Sequence, residues 1–161
     1  MATKTTTNTS DSGFSEDELA AMKQRAAELR AEKKGGAKKA DEAEACVEAI
    51  TALPQPDRGL AEAIHRIVLE VAPGLDPKTW YGFPSYARDG KVVVFFKPAS
   101  KFKSRYATLG FEEAAQLDDG AMWVTSYAVI EIGDAEEKAI RELVEKAAGQ
   151  PQDRPRPARA L

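Results

Sequence analysis

The chain has 161 residues, 43% of them hydrophobic and 30% charged, and a net charge of −3 from 23 basic and 26 acidic side chains. That length and charge content fit one folded domain and exclude a wholly disordered chain. The slight acidity argues against the chain as a whole acting as a nucleic-acid clamp, and a single cysteine, Cys46, excludes an internal disulfide or a cysteine-rich zinc site.

Residues 1–14, rich in Thr, Ser and Asn, are predicted to form a disordered tail with neither the apolar core of a secretory signal nor the arginines of a transit peptide. No stretch approaches the ~20 apolar residues of a membrane helix. Ser15 and Glu18 stand at capping-box spacing, with Phe14 and Leu19 placed as a hydrophobic staple. They predict a helix from Ser15 to about Lys33. Its apolar positions are thin (Leu19, Met22, Ala26, Leu29), so residues 15–39 read as a peripheral helix followed by a basic, glycine-containing linker.

A second helix is expected from Ala40 to Leu53, with Ala43, Val47, Ile50 and Leu53 as its apolar stripe and Pro54 as its end. Cys46 lies in that pattern and is expected to pack as a small hydrophobe. Asp57 to Val71 carries the clearest helical period, through Leu60, Ile64, Ile67, Val68 and Val71, and stops at Pro73-Gly74. The period then shortens. Extended segments are predicted at Lys78–Tyr81, Pro84–Arg88, Lys91–Lys97, Ser104–Gly110 and Ser126–Ile132, with a short helix or turn at Glu112–Gln116. Asp89-Gly90 signals a two-residue hairpin, which pairs Arg88 with Lys91 and Tyr86 with Val93. The continuous run Val92–Phe96 predicts a central strand covered on both faces. A last helix spans Asp134–Ala148, and residues 149–161, rich in Pro and Arg, are predicted to be a second disordered tail.

Helices, then strands, then a helix predict an α+β domain over residues 40–148: a mainly antiparallel sheet with helices packed on one face. Within it, Trp80-Tyr81-Gly82-Phe83-Pro84-Ser85-Tyr86, then Asp89-Gly90-Lys91 and Val94-Phe95-Phe96, resemble the YdhG-like family of small bacterial domains. Arg105 to Phe111, Leu117 to Gly120 and Met122-Trp123 look like one of its subgroups. The resemblance implies a frataxin-like helix–sheet–helix fold and, by analogy with some members, an intracellular iron-chaperone role with Fe²⁺ as the bound ion.

Four constellations are candidates for chemistry. Asp41, Glu44 and Glu48 share a helix face, and such hard oxygen ligands suit Fe²⁺, Mn²⁺ or Mg²⁺; the same acids also suit the positive N-terminal end of a helix. Glu112, Glu113, Asp118 and Asp119 form a second acidic group in turn-forming sequence. Lys97, Lys101, Phe102, Lys103, Arg105 and Tyr106 form a basic, aromatic loop suited to an anion. Trp80, Tyr81, Phe83, Tyr86, Tyr106, Phe111 and Trp123 concentrate aromatic rings in the middle of the chain.

Trp80, Tyr86, Lys97, Arg105, Tyr106 and Trp123 are therefore the expected lining of a ligand pocket. His65, the sole histidine, borders the apolar stripe of the best helix and reads as structural or solvated. No triad, nucleophile elbow or phosphate-binding glycine loop is present, so no named reaction is expected. Two readings lead: a cytoplasmic iron-binding protein, or a module binding a small anionic ligand, in either case without a membrane or nucleic-acid partner; an enzyme of unrecognised type is the third and least favoured.

Overall fold

The computed structural model of the chain describes residues 13–33 and 39–149. Its helices are α1 (Glu16–Lys33), α2 (Lys39–Thr51), α3 (Asp57–Val71) and α4 (Asp134–Ala148). Five strands, β1 (Asp76–Trp80), β2 (Phe83–Arg88), β3 (Lys91–Lys97), β4 (Ala107–Phe111) and β5 (Ser126–Val129), form one antiparallel sheet in the order β1-β2-β3-β4-β5. The α+β expectation is met. The tails expected at 1–14 and 149–161, and most of the linker before α2, lie outside the described residues.

The hairpin turn has the chemistry its sequence demands. Asp89 and Gly90 both take positive φ, 51° and 79°, the primed turn whose twist matches the flanking strands. Arg88 pairs with Lys91 as predicted. The next expected pair is displaced: a bulge between Tyr86 and Ala87 sets Tyr86 opposite Val94, not Val93. The extra residue lets both Val93 and Val94 join the one buried cluster with Tyr86, where strict alternation would send neighbours to opposite faces. The segment Glu112–Gln116 is a turn, and β4 begins only at Ala107, because Ser104 to Tyr106 leave the ladder.

Helices α2, α3 and α4 cover one face of the sheet. Ile64, Ile67 and Val68 of α3, Ile140 and Val144 of α4, and Tyr86, Phe96 and Leu109 of the sheet share one core. In α2 the buried residues are Cys46 and Ile50, while Val47 is 47% exposed. The expected stripe is thus rotated: the small thiol, fully buried, sits against the strands where valine was placed. Burial pushes the Cys46 thiol up to about 11, as an inert packing thiol requires.

Two buried polar groups fasten this layer. The Asp57 carboxylate, at the start of α3, accepts hydrogen bonds from the Ser100 backbone N–H at 2.8 Å and from the Ser100 hydroxyl. Tyr86 bonds through its hydroxyl to His65 Nδ1 at 2.9 Å, which decides for the structural role between the two expected of the one histidine. Between α3 and α4, Arg66 and Arg141 clasp Glu137 at 2.9 and 3.1 Å, and Arg141 also bonds Glu70. Helix α1 takes the opposite face of the sheet, against β1 and the 3-10 turn at Ser100–Phe102.

Candidate functional site

The face beneath α1 is built from aromatic rings. Trp80 lies 5.3 Å from Phe95 and 5.8 Å from Phe83, and Phe83 lies 6.0 Å from Phe102, measured between ring centroids. Strand alternation explains the set: Phe83 and Phe95 point away from the face that carries Tyr86, Val94 and Phe96. Gly110 makes room for it. A Cβ there would fall 2.0 Å from the Phe95 ring, so only glycine lets that ring lie across β4.

A second primed turn closes the cluster. Tyr81 and Gly82 connect β1 to β2 with φ of 53° and 78°, and Trp80 pairs with Phe83 across the turn. Tyrosine is an unusual residue at positive φ, and a neighbourhood of contacts must hold it there. Its ring packs edge-on to Trp80 at 4.9 Å and stacks on Phe83 at 6.2 Å. Its carbonyl accepts from Lys101 Nζ at 3.4 Å, and the Gly82 N–H donates to Glu28 Oε1 at 3.2 Å. Burial pushes the Lys101 ammonium below its ordinary value, against the pull of Glu28.

Helix α1 roofs this floor loosely. Ala21 is buried at 4%, while Met22 and Leu29 remain 40% and 42% exposed. Its N-terminus is capped as expected in part: the Glu18 N–H donates to the Ser15 hydroxyl at 3.2 Å, and that hydroxyl donates to the Glu18 carboxylate. Between helix and rings lies a cleft of about 270 Å³, bounded by Ala21 and Met22 above and by Trp80, Phe83, Phe95 and Phe102 below. Lys97 and Glu112 stand at its edge, and Lys97 Nζ sits 4.6 Å from the centre of the Phe102 ring. On the far side of Trp80 a second hollow of about 430 Å³ carries Arg25, Lys91, Glu112 and Glu113.

Of the six residues expected to line one pocket, the structure brings only Trp80 and Lys97 together at this cleft. Tyr86 is fully buried on the opposite face, in the helical core. Arg105 lies over the ring of Tyr106 at 5.1 Å, and both are exposed. Trp123 borders a separate hollow of about 600 Å³ with Glu113 and Asp118. The strand register sends Tyr86 to the other side, and the chain between β4 and β5 carries Trp123 away. Sequence reasoning had Tyr81, Phe83 and Phe102 among its aromatic and basic groups. It missed Phe95, which read as a central-strand residue, and the part played by Ala21 and Met22, which a weakly apolar helix does not announce.

Asp41, Glu44 and Glu48 are all exposed along α2, and among the described residues no group of three or more His, Cys, Asp or Glu is placed to hold a metal ion. The acidic stripe is thus a solvated helix face and does not gather into a centre. No helix among the described residues is long and apolar enough to cross a membrane. Set against known proteins, the chain matches no family model, no curated protein and no solved structure.

Proposed function

We propose that this chain binds a small molecule with a planar, apolar body and an anionic group in the cleft between α1 and the aromatic face. One observation carries this reading: a cleft of about 270 Å³ lined by the rings of Trp80, Tyr81, Phe83, Phe95 and Phe102, with Lys97 at its edge beside Glu18 and Glu112. Aromatic floors take flat apolar bodies by stacking, at about 0.5–1.5 kcal/mol per ring pair beyond area burial. A lysine at the edge adds a charge-assisted hydrogen bond to a carboxylate or phosphate, and its ammonium lies 4.6 Å from the centre of the Phe102 ring. The loosely held roof offers a way in. The iron-chaperone reading rests on the resemblance to the YdhG-like family alone, and the placement of the acidic stripe adds nothing to it.

The test uses 1-anilinonaphthalene-8-sulfonate, a flat, anionic, fluorescent probe. Titrated into the native protein it should bind saturably, with transfer from Trp80 in a Trp123→Phe background. Phe95→Ala and Lys97→Met should each weaken binding by about fivefold to tenfold, since ~1–1.4 kcal/mol is lost in either case. Linear, unsaturable fluorescence, or saturable binding that ignores both substitutions, would overturn the proposal.

A further inference from the structure

The two edges of the sheet are treated differently. Strand β1, at one edge, contains Pro77, is flanked by α1 and α2, and ties Asp76 to Lys39 at 3.1 Å. Proline, charge and covering helices are the usual protections of an exposed edge. Among the described residues, strand β5, at the other, has no proline, no charge and no helix along its edge, with α4 beside it only on the core face. From Ala121 to Ile130 the chain carries neither a charged residue nor a proline. Large apolar side chains flank the strand and face solvent: Met122 at 88%, Val124 at 56% and Ile130 at 71% exposed.

The backbone fixes which groups are on offer. The Thr125 carbonyl accepts the Phe111 N–H at 2.8 Å, continuing the β4–β5 ladder. Antiparallel alternation therefore turns Thr125, Tyr127 and Val129 toward β4, and turns the N–H and C=O of Ser126 and Ala128 toward the open edge. An open edge of this kind accepts another strand, and the question is whose.

We infer that β5 pairs antiparallel with β5 of a second copy of this chain, about a two-fold axis through Tyr127, joining two sheets into one. The outward groups limit the pairing to registers that set even-numbered residues against even-numbered ones, and of these the one centred on Tyr127 sets Ser126 against Ala128 and Val124 against Ile130. Each Ser126–Ala128 pair then exchanges both backbone hydrogen bonds and the strand is used along its whole length. Val124 against Ile130 covers on each copy the side chains that the monomer leaves in water. Charge agrees: Glu131 falls opposite Trp123, so no like charges meet. The arrangement is isologous and closes at two copies, which leaves no further β5 edge to propagate. It stands independently of the aromatic cleft.

Sedimentation equilibrium on the full chain, from about 1 µM to about 1 mM, spans the affinities such an edge can supply. The expected result is a monomer–dimer equilibrium. Val124→Lys with Ile130→Lys should leave a monomer, because each pairing then opposes two ammonium groups. Val124→Lys with Ile130→Glu should restore the dimer, because the register sets opposite charges face to face. Ala128→Pro removes an N–H that the β4 ladder does not use, so it should abolish dimerisation while the thermal unfolding transition remains cooperative. A monomer at every concentration would overturn the inference. So would a dimer indifferent to the charge pairs and to the proline, since that dimer must use another face.

Discussion

The two faces of the sheet are held by different physics. On one, three helices bury interlocking aliphatic side chains around Tyr86, Phe96 and Leu109, and the polar groups that enter, Asp57 and the Tyr86–His65 pair, are bonded. On the other, α1 buries Ala21 and otherwise grips the sheet through polar contacts such as Glu28 to Gly82 and Asp17 to Lys103. The first face is dry, dense and costly to disturb. The second keeps large rings partly covered by a helix that burial barely secures. Burial is concentrated on one side of the sheet, and the other side holds the cleft on which the proposed ligand reading rests.

The largest test of this contrast is Tyr86→Ala. It removes a fully buried ring and leaves His65 without its partner, so it should cost about 3–5 kcal/mol by denaturant titration. Asp57→Ala should cost about 2–3 kcal/mol, because a buried carboxylate with two donors from Ser100 is lost at the start of α3. On the other face, Ala21→Glu should undock α1 at a cost nearer 1–2 kcal/mol, with backbone amide exchange rising in α1 and not in α3. Equal losses from Tyr86→Ala and Ala21→Glu would erase the distinction between the faces.

Acidity sharpens the same comparison. Burial holds His65 below the ordinary imidazole value of 6.5. The unfolded chain, with a value near 6.5, then takes up a proton that the folded chain resists. The His65 contribution is fully present above that value and is lost as pH falls from about 6.5 toward the folded-state pKa. The denaturant midpoint should therefore drop between pH 8 and pH 5, and His65→Gln should flatten that part of the drop. The smallest effect belongs to Lys103→Ala. Its 3.7 Å pair with Asp17 is mostly exposed, and its loss should change stability by no more than about 0.5 kcal/mol.

Much of the architecture was legible in residues whose signals are local. The period of α3, the Asp89-Gly90 turn and the central position of β3 all follow from spacing and turn chemistry. The rest depended on contacts between distant segments. Tyr81-Gly82 carries no recognised hairpin signature, because tyrosine tolerates positive φ only where ring contacts and bonds from Lys101 and Glu28 hold it. The bulge at Tyr86 is decided by packing of Val93 and Val94, and it alters which side chains share a face. A pocket assembled from nearby aromatics therefore dispersed: Tyr86 went to the core, Trp123 to another hollow, and Arg105 and Tyr106 to the surface.

By itself the sequence determined that this is an α+β chain with a mainly antiparallel sheet, one dominant amphipathic helix and a thiol that packs as a small hydrophobe, because periodicity, turn residues and apolar runs act over a few neighbours. Only the tertiary structure decided that α1 covers the sheet face opposite α2–α4, that Phe95 lies over Gly110 beside Trp80, and that β5 is the edge strand left uncovered among the described residues. Each of these is a choice among surfaces far apart in the chain, and it is made by which side chains fit together and which backbone groups remain unpaired.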